Sequence, residues 1–304
     1  MTMSTTEQWQ RDGYLVSRGV FDAALIGALR AGCDATLDQW RRESVAEGEP
    51  GGYCHGPQAW VLIHLNHPKY YRERADCLAR LLNAVADARV LEILDDIFRA
   101  PAVLTQINYY MDPSETRATA WHRDSQFFHG VDSEEEREAI GHEGDPPRAI
   151  HMHIPLARTR ASEIVPGSHV RLDGEEEGRI RRDAPGSDTM PGALGLALEP
   201  GDLGFFHVNA LHRGIYTQGV LRRTIAVTFT RASDPYLATA ESMAERVGYV
   251  ASYQPWFLKR GYLDGCVPAA RGFYERFIDV HRESWREEYV GSLHARLREY
   301  FTEH

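Results

Sequence analysis

The stretch Trp121-His122-Arg123-Asp124 decides how the rest of the sequence is interpreted. It places an imidazole and a carboxylate two residues apart, and on an extended strand such side chains project to the same face. A second histidine follows much later, in Asn209-Ala210-Leu211-His212-Arg213-Gly214. Two histidines and one carboxylate on one face of a divalent ion form the facial triad of non-haem Fe(II) oxygenases. The sequence therefore predicts that His122, Asp124 and His212 are metal ligands.

Length, composition and charge limit the class of protein. The chain has 304 residues, of which 43% are hydrophobic and 26% are charged. These values are ordinary for a globular protein, and the length suits a single domain over residues 1–304 with a large buried core. The formal net charge of −10 argues against a nucleic acid or an anionic membrane as partner, because both favour a basic protein surface.

Cysteine spacing and the N-terminal residues bear on the compartment. The four cysteines show no CxxC spacing, so we expect reduced thiols rather than a zinc site or a disulfide framework. Residues 1–10 are polar and lack the features of a signal peptide. No window approaches the run of about 18 apolar residues that a membrane-spanning helix needs. We therefore expect a cytoplasmic protein.

Hydrophobic periodicity divides the chain into three parts. Residues 1–100 are mainly helical, residues 101–231 contain short strands between Gly/Pro turns, and residues 232–304 form a helical tail rich in aromatic side chains. This order predicts a mainly β protein with flanking helices and an antiparallel jelly-roll core. We interpret two polar segments, 173–192 and 213–220, as loops. The tail is expected to pack outside a sheet or to form the interface of a homo-oligomer.

The last predicted strand, Leu221 to Arg231, has two different faces. The apolar face carries Ile225, Val227 and Phe229, whereas the other face is small and polar and carries Arg222 and Thr224. An arginine inside a barrel needs an anion, because desolvating its charge is costly. Guanidinium groups hold carboxylates through two parallel hydrogen bonds. We therefore expect Arg222, helped by Thr224, to bind the distal carboxylate of 2-oxoglutarate; the alternative is an internal Asp or Glu partner.

Several short pieces distributed along the chain occur together in one known family. They are Arg11–Val16 with Gly19–Phe21, Trp121–Asp124, Val165–His169, Pro200–Asp202, His212–Gly214 and Arg222–Ile225. In these pieces the sequence resembles the phytanoyl-CoA dioxygenase family of Fe(II)/2-oxoglutarate oxygenases. The resemblance does not cover the helical tail.

The resemblance implies a double-stranded β-helix fold, also called cupin-like, and a metal held by His122, Asp124 and His212. It also implies that an arginine after the last histidine binds 2-oxoglutarate, which maps to Arg222. This arginine stands one residue closer to the histidine than is usual in the family, which leaves Arg223 as an alternative.

Other polar side chains near the predicted site receive weaker assignments. Asn108 and Tyr110 share one face of the strand before the triad, and the resemblance implies that they hydrogen-bond the co-substrate. His151 and His153 would face the barrel interior and contact substrate or co-substrate. We interpret six further histidines as structural or surface residues without a metal: His55, His64, His67, His129, His169 and His207. The acidic insertion 133–147 is either a solvated surface or a lid over the site.

The resemblance implies a reaction in which Fe(II), 2-oxoglutarate and O2 oxidise a small molecule with release of succinate and CO2. Asp124 stands where related halogenases have Gly or Ala, so hydroxylation, or else desaturation or ring closure, is expected rather than halogenation. Two alternatives stay open. A cupin-like lyase or isomerase would use the metal without 2-oxoglutarate and would keep its activity in Arg222→Ala. A catalytically silent binding module would bind no iron.

Overall fold

The computed structural model describes residues 4–43, 61–142, 144–245 and 251–292, together with Arg298 and Phe301. Within these ranges the chain forms nine α-helices: α1 (Thr5–Asp12), α2 (Ala23–Glu43), α3 (Ala75–Val85), α4 (Ala88–Phe98), α5 (Gln126–His129), α6 (Glu134–Ala139), α7 (Glu175–Asp183), α8 (Ala240–Glu245) and α9 (Pro268–His281). None of the helices in this part of the chain combines the length and hydrophobicity that a membrane crossing requires.

The same residues form ten strands in two antiparallel sheets. The strands are β1 (Tyr14–Ser17), β2 (Val61–Leu62), β3 (Ala102–Met111), β4 (Arg117–Ala118), β5 (Ala149–Pro155), β6 (Ser162–Ile164), β7 (Leu194–Gly195), β8 (Leu203–His207), β9 (His212–Tyr216) and β10 (Arg223–Arg231). The larger sheet has the order β1-β8-β5-β10-β3-β2, and the smaller sheet has the order β4-β9-β6-β7. The described strands do not join into a closed barrel, but the predicted mainly β core with flanking helices is confirmed.

A turn before β8 fastens the large sheet to the N-terminal segment. The amide of Phe21 donates to the carbonyl of Gly201 (3.0 Å), and Asp202 accepts from the Gly19 amide (3.0 Å) and from Arg18 (2.5 Å). Gly201 has φ +96°, and a Cβ atom there would lie 2.4 Å from the carbonyl oxygen of Phe21. Both the conformation and the close approach therefore require glycine.

One buried apolar cluster joins the N-terminal helices, the large sheet and the C-terminal helices. Phe229 of β10 meets Phe273 of α9 edge to face, with ring centroids 6.0 Å apart. The aromatic tail thus packs outside the large sheet, which is one of the two uses expected for it. Cys33, Cys77 and Cys266 are free thiols, whereas Cys54 lies outside the described residues.

Both segments interpreted as loops contain regular structure, so these two predictions are wrong. Segment 173–192 contains α7, whose first turn is closed by the Glu177 carboxylate accepting from the Gly174 amide (2.6 Å). Segment 213–220 contains most of β9, in which Arg213 is buried and paired with Glu163 of β6 (2.7 Å). Contacts with distant residues also stabilise both elements: Arg181 of α7 pairs with Glu136 of α6, and Arg213 of β9 pairs with Glu163.

Candidate metal centre

His122 and His212 are held together by their own backbones. The His122 amide donates to the His212 carbonyl (3.1 Å), and the His212 amide donates to the His122 carbonyl (3.0 Å). His212 begins β9, but His122 forms only this isolated bridge, and β4 already ends at Ala118. The prediction that His122 and Asp124 lie on one strand is therefore wrong. The Asp124 amide instead donates to the carbonyl of Val208 (2.9 Å), in a turn that precedes α5.

The structure nevertheless brings the three predicted ligands together. Asp124 Oδ1 lies 3.5 Å from His122 Nε2 and 3.6 Å from His212 Nε2. One ligand atom from each of the three residues lies within 4.8 Å of the other two. Two nitrogens and one oxygen from distant parts of the chain thus converge on one point, as a single divalent ion requires.

The hydrogen bonds of the two histidines fix which ring nitrogen is available. His122 Nδ1 lies 2.7 Å from the Ala120 carbonyl oxygen, and His212 Nδ1 lies 2.8 Å from the Ala210 carbonyl oxygen. A carbonyl only accepts, so each Nδ1 carries the proton and each Nε2 presents a lone pair. Burial lowers the pKa of His122, and burial together with His122 lowers the pKa of His212 to about 3. Both rings are therefore neutral at pH 7 and suited to a metal.

Asp124 is surrounded by histidines that keep it ionised. Burial alone would raise the pKa of this carboxyl, but His151, His212 and His122 together hold it below its ordinary value. His151 Nε2 lies 2.8 Å from Asp124 Oδ2. Strand alternation predicts an interior position for His151, in contact with substrate or co-substrate. The structure adds its contact with Asp124, which no local pattern indicates because the two residues belong to separate segments.

Arg222 is buried and has no carboxylate partner among the described residues. Its charge acts on the ring of His153, on which His212 also acts. Its guanidinium carbon lies 4.1 Å from the ring centroid of Tyr216 and 4.8 Å from that of Tyr110. One Nη donates to the Ile215 carbonyl (3.2 Å), and Nε has no hydrogen-bond partner in the described ranges. The hydroxyl of Thr224 is likewise buried and has no such partner. The internal Asp or Glu that is the alternative for Arg222 is not found in this part of the chain.

Arg223 is already paired. Its Nε donates to Asp34 of α2 (2.7 Å), and one Nη contacts Asp112. The side chain thus leaves the large sheet on the helix-covered face. These contacts favour Arg222 over Arg223 as the group available to an anion.

The remaining polar candidates divide into two groups. His153 faces the same region as Arg222: its ring meets Tyr110 edge to face at 5.8 Å, and burial and Arg222 hold its pKa well below the ordinary value. Asn108 instead accepts from the backbone amide of His64 (3.3 Å) and so supports a loop. Tyr110 and His153 therefore belong to the surroundings of the Arg222 guanidinium, whereas the contact of Asn108 is with the backbone of His64.

The described histidines that we interpret as structural or surface residues are either in contact with other protein groups or exposed. His207 accepts from the Asn209 amide (2.9 Å), and His64 Nε2 lies 3.1 Å from the Ala251 carbonyl. His67 caps a short helical turn, and His129 is exposed at the end of α5. His169 is buried with its ring centroid 5.3 Å from that of His207. His55 lies outside the described residues.

The acidic insertion contributes a buried ion pair rather than a purely solvated surface. Glu136 of α6 pairs with Arg181 of α7, and both side chains are 1% exposed. Arg181 also binds Asp173 (2.6 Å), which in turn binds Arg123, the residue between two of the candidate ligands (2.6 Å). Sequence analysis missed this network, because an acidic run gives no sign of which carboxylate is buried. Glu143 of the insertion lies outside the described residues.

Two antiparallel sheets that bring two histidines and one carboxylate to one point form an arrangement suited to a non-haem metal centre. A sequence model of the phytanoyl-CoA dioxygenase (PhyH) family matches residues 9–219. The chain belongs to this family, and the resemblance seen in the sequence is confirmed. The family's chemistry is that of Fe(II)/2-oxoglutarate-dependent oxygenases. No curated protein matches the sequence significantly.

Solved structures resemble the fold over most of the chain. AviO1 from Streptomyces viridochromogenes Tue57 is 20% identical, with 76% of this chain and 96% of that chain covered and a TM-score of 0.55. EctD from S. alaskensis with 2-oxoglutarate and 5-hydroxyectoine is 18% identical, with coverage of 89% and 86% and a TM-score of 0.54. The carbocyclase SnoK from nogalamycin biosynthesis is 17% identical, with coverage of 76% and 85% and a TM-score of 0.51. These similarities confirm the double-stranded β-helix fold.

Proposed function

We propose that this chain is an Fe(II)- and 2-oxoglutarate-dependent dioxygenase that hydroxylates a small molecule, with release of succinate and CO2. The observation that carries the proposal is the convergence of His122, Asp124 and His212, whose ligand atoms lie within 4.8 Å of one another. Family membership and the buried cation at Arg222 give independent support. EctD has been solved with bound Fe and with 2-oxoglutarate, and SnoK is described as α-ketoglutarate dependent.

The donor atoms fit Fe(II). His122 and His212 would bind it through Nε2, since each Nδ1 donates to a backbone carbonyl. Asp124 would bind through Oδ1, the carboxylate oxygen that faces both imidazoles. Three protein ligands leave positions open for the other reactants. When bound, Fe(II) and 2-oxoglutarate supply the activation of dioxygen that allows an oxygen atom to be transferred to the substrate.

Arg222 would bind the distal carboxylate of 2-oxoglutarate. Its guanidinium is buried and lies against Tyr216 and Tyr110, which restrict its movement. A dicarboxylate would supply the missing counter-charge, and its interaction would be stronger in this site than in water. The hydroxyl of Thr224 and the ring of His153 lie in the same region and would complete the binding site, with Tyr110 forming one wall.

The substrate would approach beside Phe127. The ring centroid of Phe127 lies 5.2 Å from that of His122, yet 63% of this residue is exposed. An exposed aromatic side chain next to candidate metal ligands is suited to the apolar face of a small molecule. We further propose that residues 1–304 act as one cytoplasmic domain and that the C-terminal helices form a homo-oligomer interface.

Anaerobic titration of the purified apoprotein with Fe(II), followed by aerobic assay of succinate release, tests this proposal. We expect stoichiometric Fe(II) binding, 2-oxoglutarate-dependent succinate release, and loss of both in His122→Ala, Asp124→Ala and His212→Ala. His129→Ala is the matched control, because His129 is exposed and outside the centre. Full 2-oxoglutarate turnover in Asp124→Ala would contradict the proposal, and so would metal-dependent activity that needs no 2-oxoglutarate.

A further inference from the structure

We propose that His151 is a positioning residue that, with Thr228 and Gln106 behind it, fixes the carboxylate of Asp124 so that only Oδ1 faces the metal. This inference rests on the proposed function, because it concerns how the metal would be held. It goes beyond that function by assigning a role to three residues that are not themselves metal ligands.

The three residues form one straight row across the large sheet. Thr228 of β10 stands directly opposite Gln106 of β3 on one side and opposite His151 of β5 on the other. Residues that face each other in antiparallel strands have neighbouring side chains. The side chains of the row contact one another accordingly, and its last member, His151, reaches Asp124 outside the sheet.

A backbone irregularity lies next to this row. The register of β10 against β3 shifts between Thr228 and Phe229, so that Thr105 is passed over. The carbonyl of Thr105 accepts from the buried side chain of Gln254 (2.8 Å), which satisfies the backbone group that the bulge removes from the ladder. Bulges of this kind re-aim side chains beside functional sites. Here the bulge directly precedes Gln106, the first member of the row.

The hydrogen bonds run in one consistent direction. Asp124 is ionised and can only accept, so His151 donates to Asp124 Oδ2 from Nε2 (2.8 Å). In the neutral ring His151 Nδ1 is then an acceptor, and the hydroxyl of Thr228 donates to it (3.0 Å). The hydroxyl oxygen of Thr228 in turn accepts from the side-chain amide of Gln106 (3.3 Å). Each member thereby fixes the orientation of the next, as outer hydrogen bonds do around bound metals.

As a consequence, the two carboxylate oxygens of Asp124 have different roles. Oδ1 lies near the Nε2 atoms of His122 and His212, whereas Oδ2 is engaged by His151. A carboxylate held in this way binds a metal through one oxygen and leaves another coordination position open. His151 itself does not belong to the group of mutually close ligand atoms, and its ring centroid lies 6.0 Å from that of His212.

Metal binding, not turnover, tests the proposal directly. We would measure the Kd of the apoprotein for Fe(II) by anaerobic calorimetry and record the visible spectrum of the Co(II) form for each variant. His151→Phe keeps an aromatic ring, slightly larger than imidazole, and removes both nitrogens. We therefore expect Fe(II) affinity to fall about 10- to 100-fold and the Co(II) spectrum to change. His151→Gln retains a donor near the Nε2 position and should restore part of both signals.

Thr228→Val and Thr230→Val form a matched pair on the same strand. Thr228 hydrogen-bonds His151, whereas the buried hydroxyl of Thr230 has no partner among the described residues. Thr228→Val should therefore change Fe(II) affinity and the Co(II) spectrum in the same direction as His151→Phe, to a smaller extent. Thr230→Val should change neither.

Three outcomes would overturn the inference. The first is a wild-type Kd and an unchanged Co(II) spectrum in His151→Phe. The second is complete loss of metal, as in His122→Ala, which would make His151 a ligand. The third is an effect of Thr230→Val equal to that of Thr228→Val. If circular dichroism shows that His151→Phe does not fold, the comparison of Thr228→Val with Thr230→Val in Fe(II) affinity and Co(II) spectrum tests the inference. Failure of the wild-type protein to bind Fe(II) would instead refute the proposed function, and this inference with it.

Discussion

Arg222 and Arg223 are neighbours in the chain, yet their guanidinium groups lie on opposite faces of the large sheet. Arg223 is neutralised by Asp34 and Asp112 on the face that the helices cover. Arg222 lies between two tyrosine rings on the other face, without a carboxylate partner among the described residues. The two positions therefore make different predictions when each is replaced by an uncharged side chain.

We expect Arg222→Met to weaken 2-oxoglutarate binding by about 10- to 150-fold, because hydrogen bonds to charged groups contribute about 1.5–3 kcal/mol. Fe(II) affinity should not change. Calorimetry with Fe(II)-loaded protein under argon would measure both. The 2-oxoglutarate affinity of Arg222→Lys should lie between that of the wild type and that of Arg222→Met, since an ammonium cannot reproduce the two parallel hydrogen bonds of a guanidinium.

Arg223→Met is the matched variant for this prediction. It removes the guanidinium that Asp34 and Asp112 share, so it should lower the free energy of unfolding. It should leave 2-oxoglutarate affinity within twofold of the wild type, about 0.4 kcal/mol. Equal losses of 2-oxoglutarate affinity in the two methionine variants would contradict the assignment of Arg222.

The buried network behind the candidate ligands should be important for stability. Arg123 is fully buried, pairs with Asp173 (2.6 Å), and donates to the carbonyls of Ser168 and Asn209 (both 2.5 Å). Arg123→Met removes one partner of a buried ion pair, which typically costs about 3–5 kcal/mol. Urea unfolding followed by circular dichroism would measure the loss. Arg137→Met is the control, because the Arg137–Asp132 pair is exposed and such pairs contribute about 0–1 kcal/mol.

Buried histidines should make the protein sensitive to acid. Burial lowers the pKa of His281 to about 4, and neither ring nitrogen has a hydrogen-bond partner among the described residues. In the unfolded chain this histidine takes up a proton near pH 6.5. The unfolded state therefore binds more protons between pH 6.5 and about 4, and stability falls as pH falls through that window.

His281→Phe should remove this contribution, which is at most about 1.4 kcal/mol per pH unit. The ring stacks on Trp285 with centroids 6.0 Å apart, so a phenyl group is expected to be accommodated. Urea unfolding at a series of pH values would give a shallower dependence for the variant. An unchanged slope between pH 6.5 and 4 would show that His281 is protonated, or hydrogen-bonded, in the folded protein.

Two glycines should respond in opposite ways to alanine. Gly201→Ala places a Cβ atom 2.4 Å from the Phe21 carbonyl oxygen at φ +96°, and the conformation alone costs roughly 1–3 kcal/mol. Gly27 lies on the exposed face of α2, and a Cβ atom there would meet no other atom within 4 Å, so Gly27→Ala should stabilise the protein by about 0.5–1 kcal/mol. Thermal unfolding of both variants would compare the two effects, and a stabilising Gly201→Ala would refute the role of the turn before β8.

The sequence predicts those features that depend on local periodicity or on residue type. Alternation along the predicted strand Leu221 to Arg231 is sufficient to separate Arg222 from Arg223, because successive side chains of a strand point to opposite faces. The turn at Gly201 follows from a similarly local rule, since glycine readily adopts a positive φ. The spacing of His122 and Asp124 indicates a shared metal, although the segment is a turn and not the expected strand.

The sequence does not predict features that depend on which distant residues meet. Segment β9 has an unremarkable polar sequence and becomes a strand only because β6 and β4 lie on either side of it. Likewise, Glu136 is one of several consecutive acidic residues, and its burial depends on Arg181 from another segment. The bond from His151 to Asp124 has the same origin. Non-local contacts of this kind have no signature within a window of neighbouring residues.

The reciprocal backbone hydrogen bonds between His122 and His212 have a practical consequence for metal exchange. The spacing of the two imidazoles is set by the peptide groups and does not depend on the size or charge of the ion between them. Substitution of iron by cobalt or manganese should therefore leave the imidazole spacing unaltered. Divalent ions that do not support the reaction with dioxygen can then serve as spectroscopic and crystallographic reporters of the iron site.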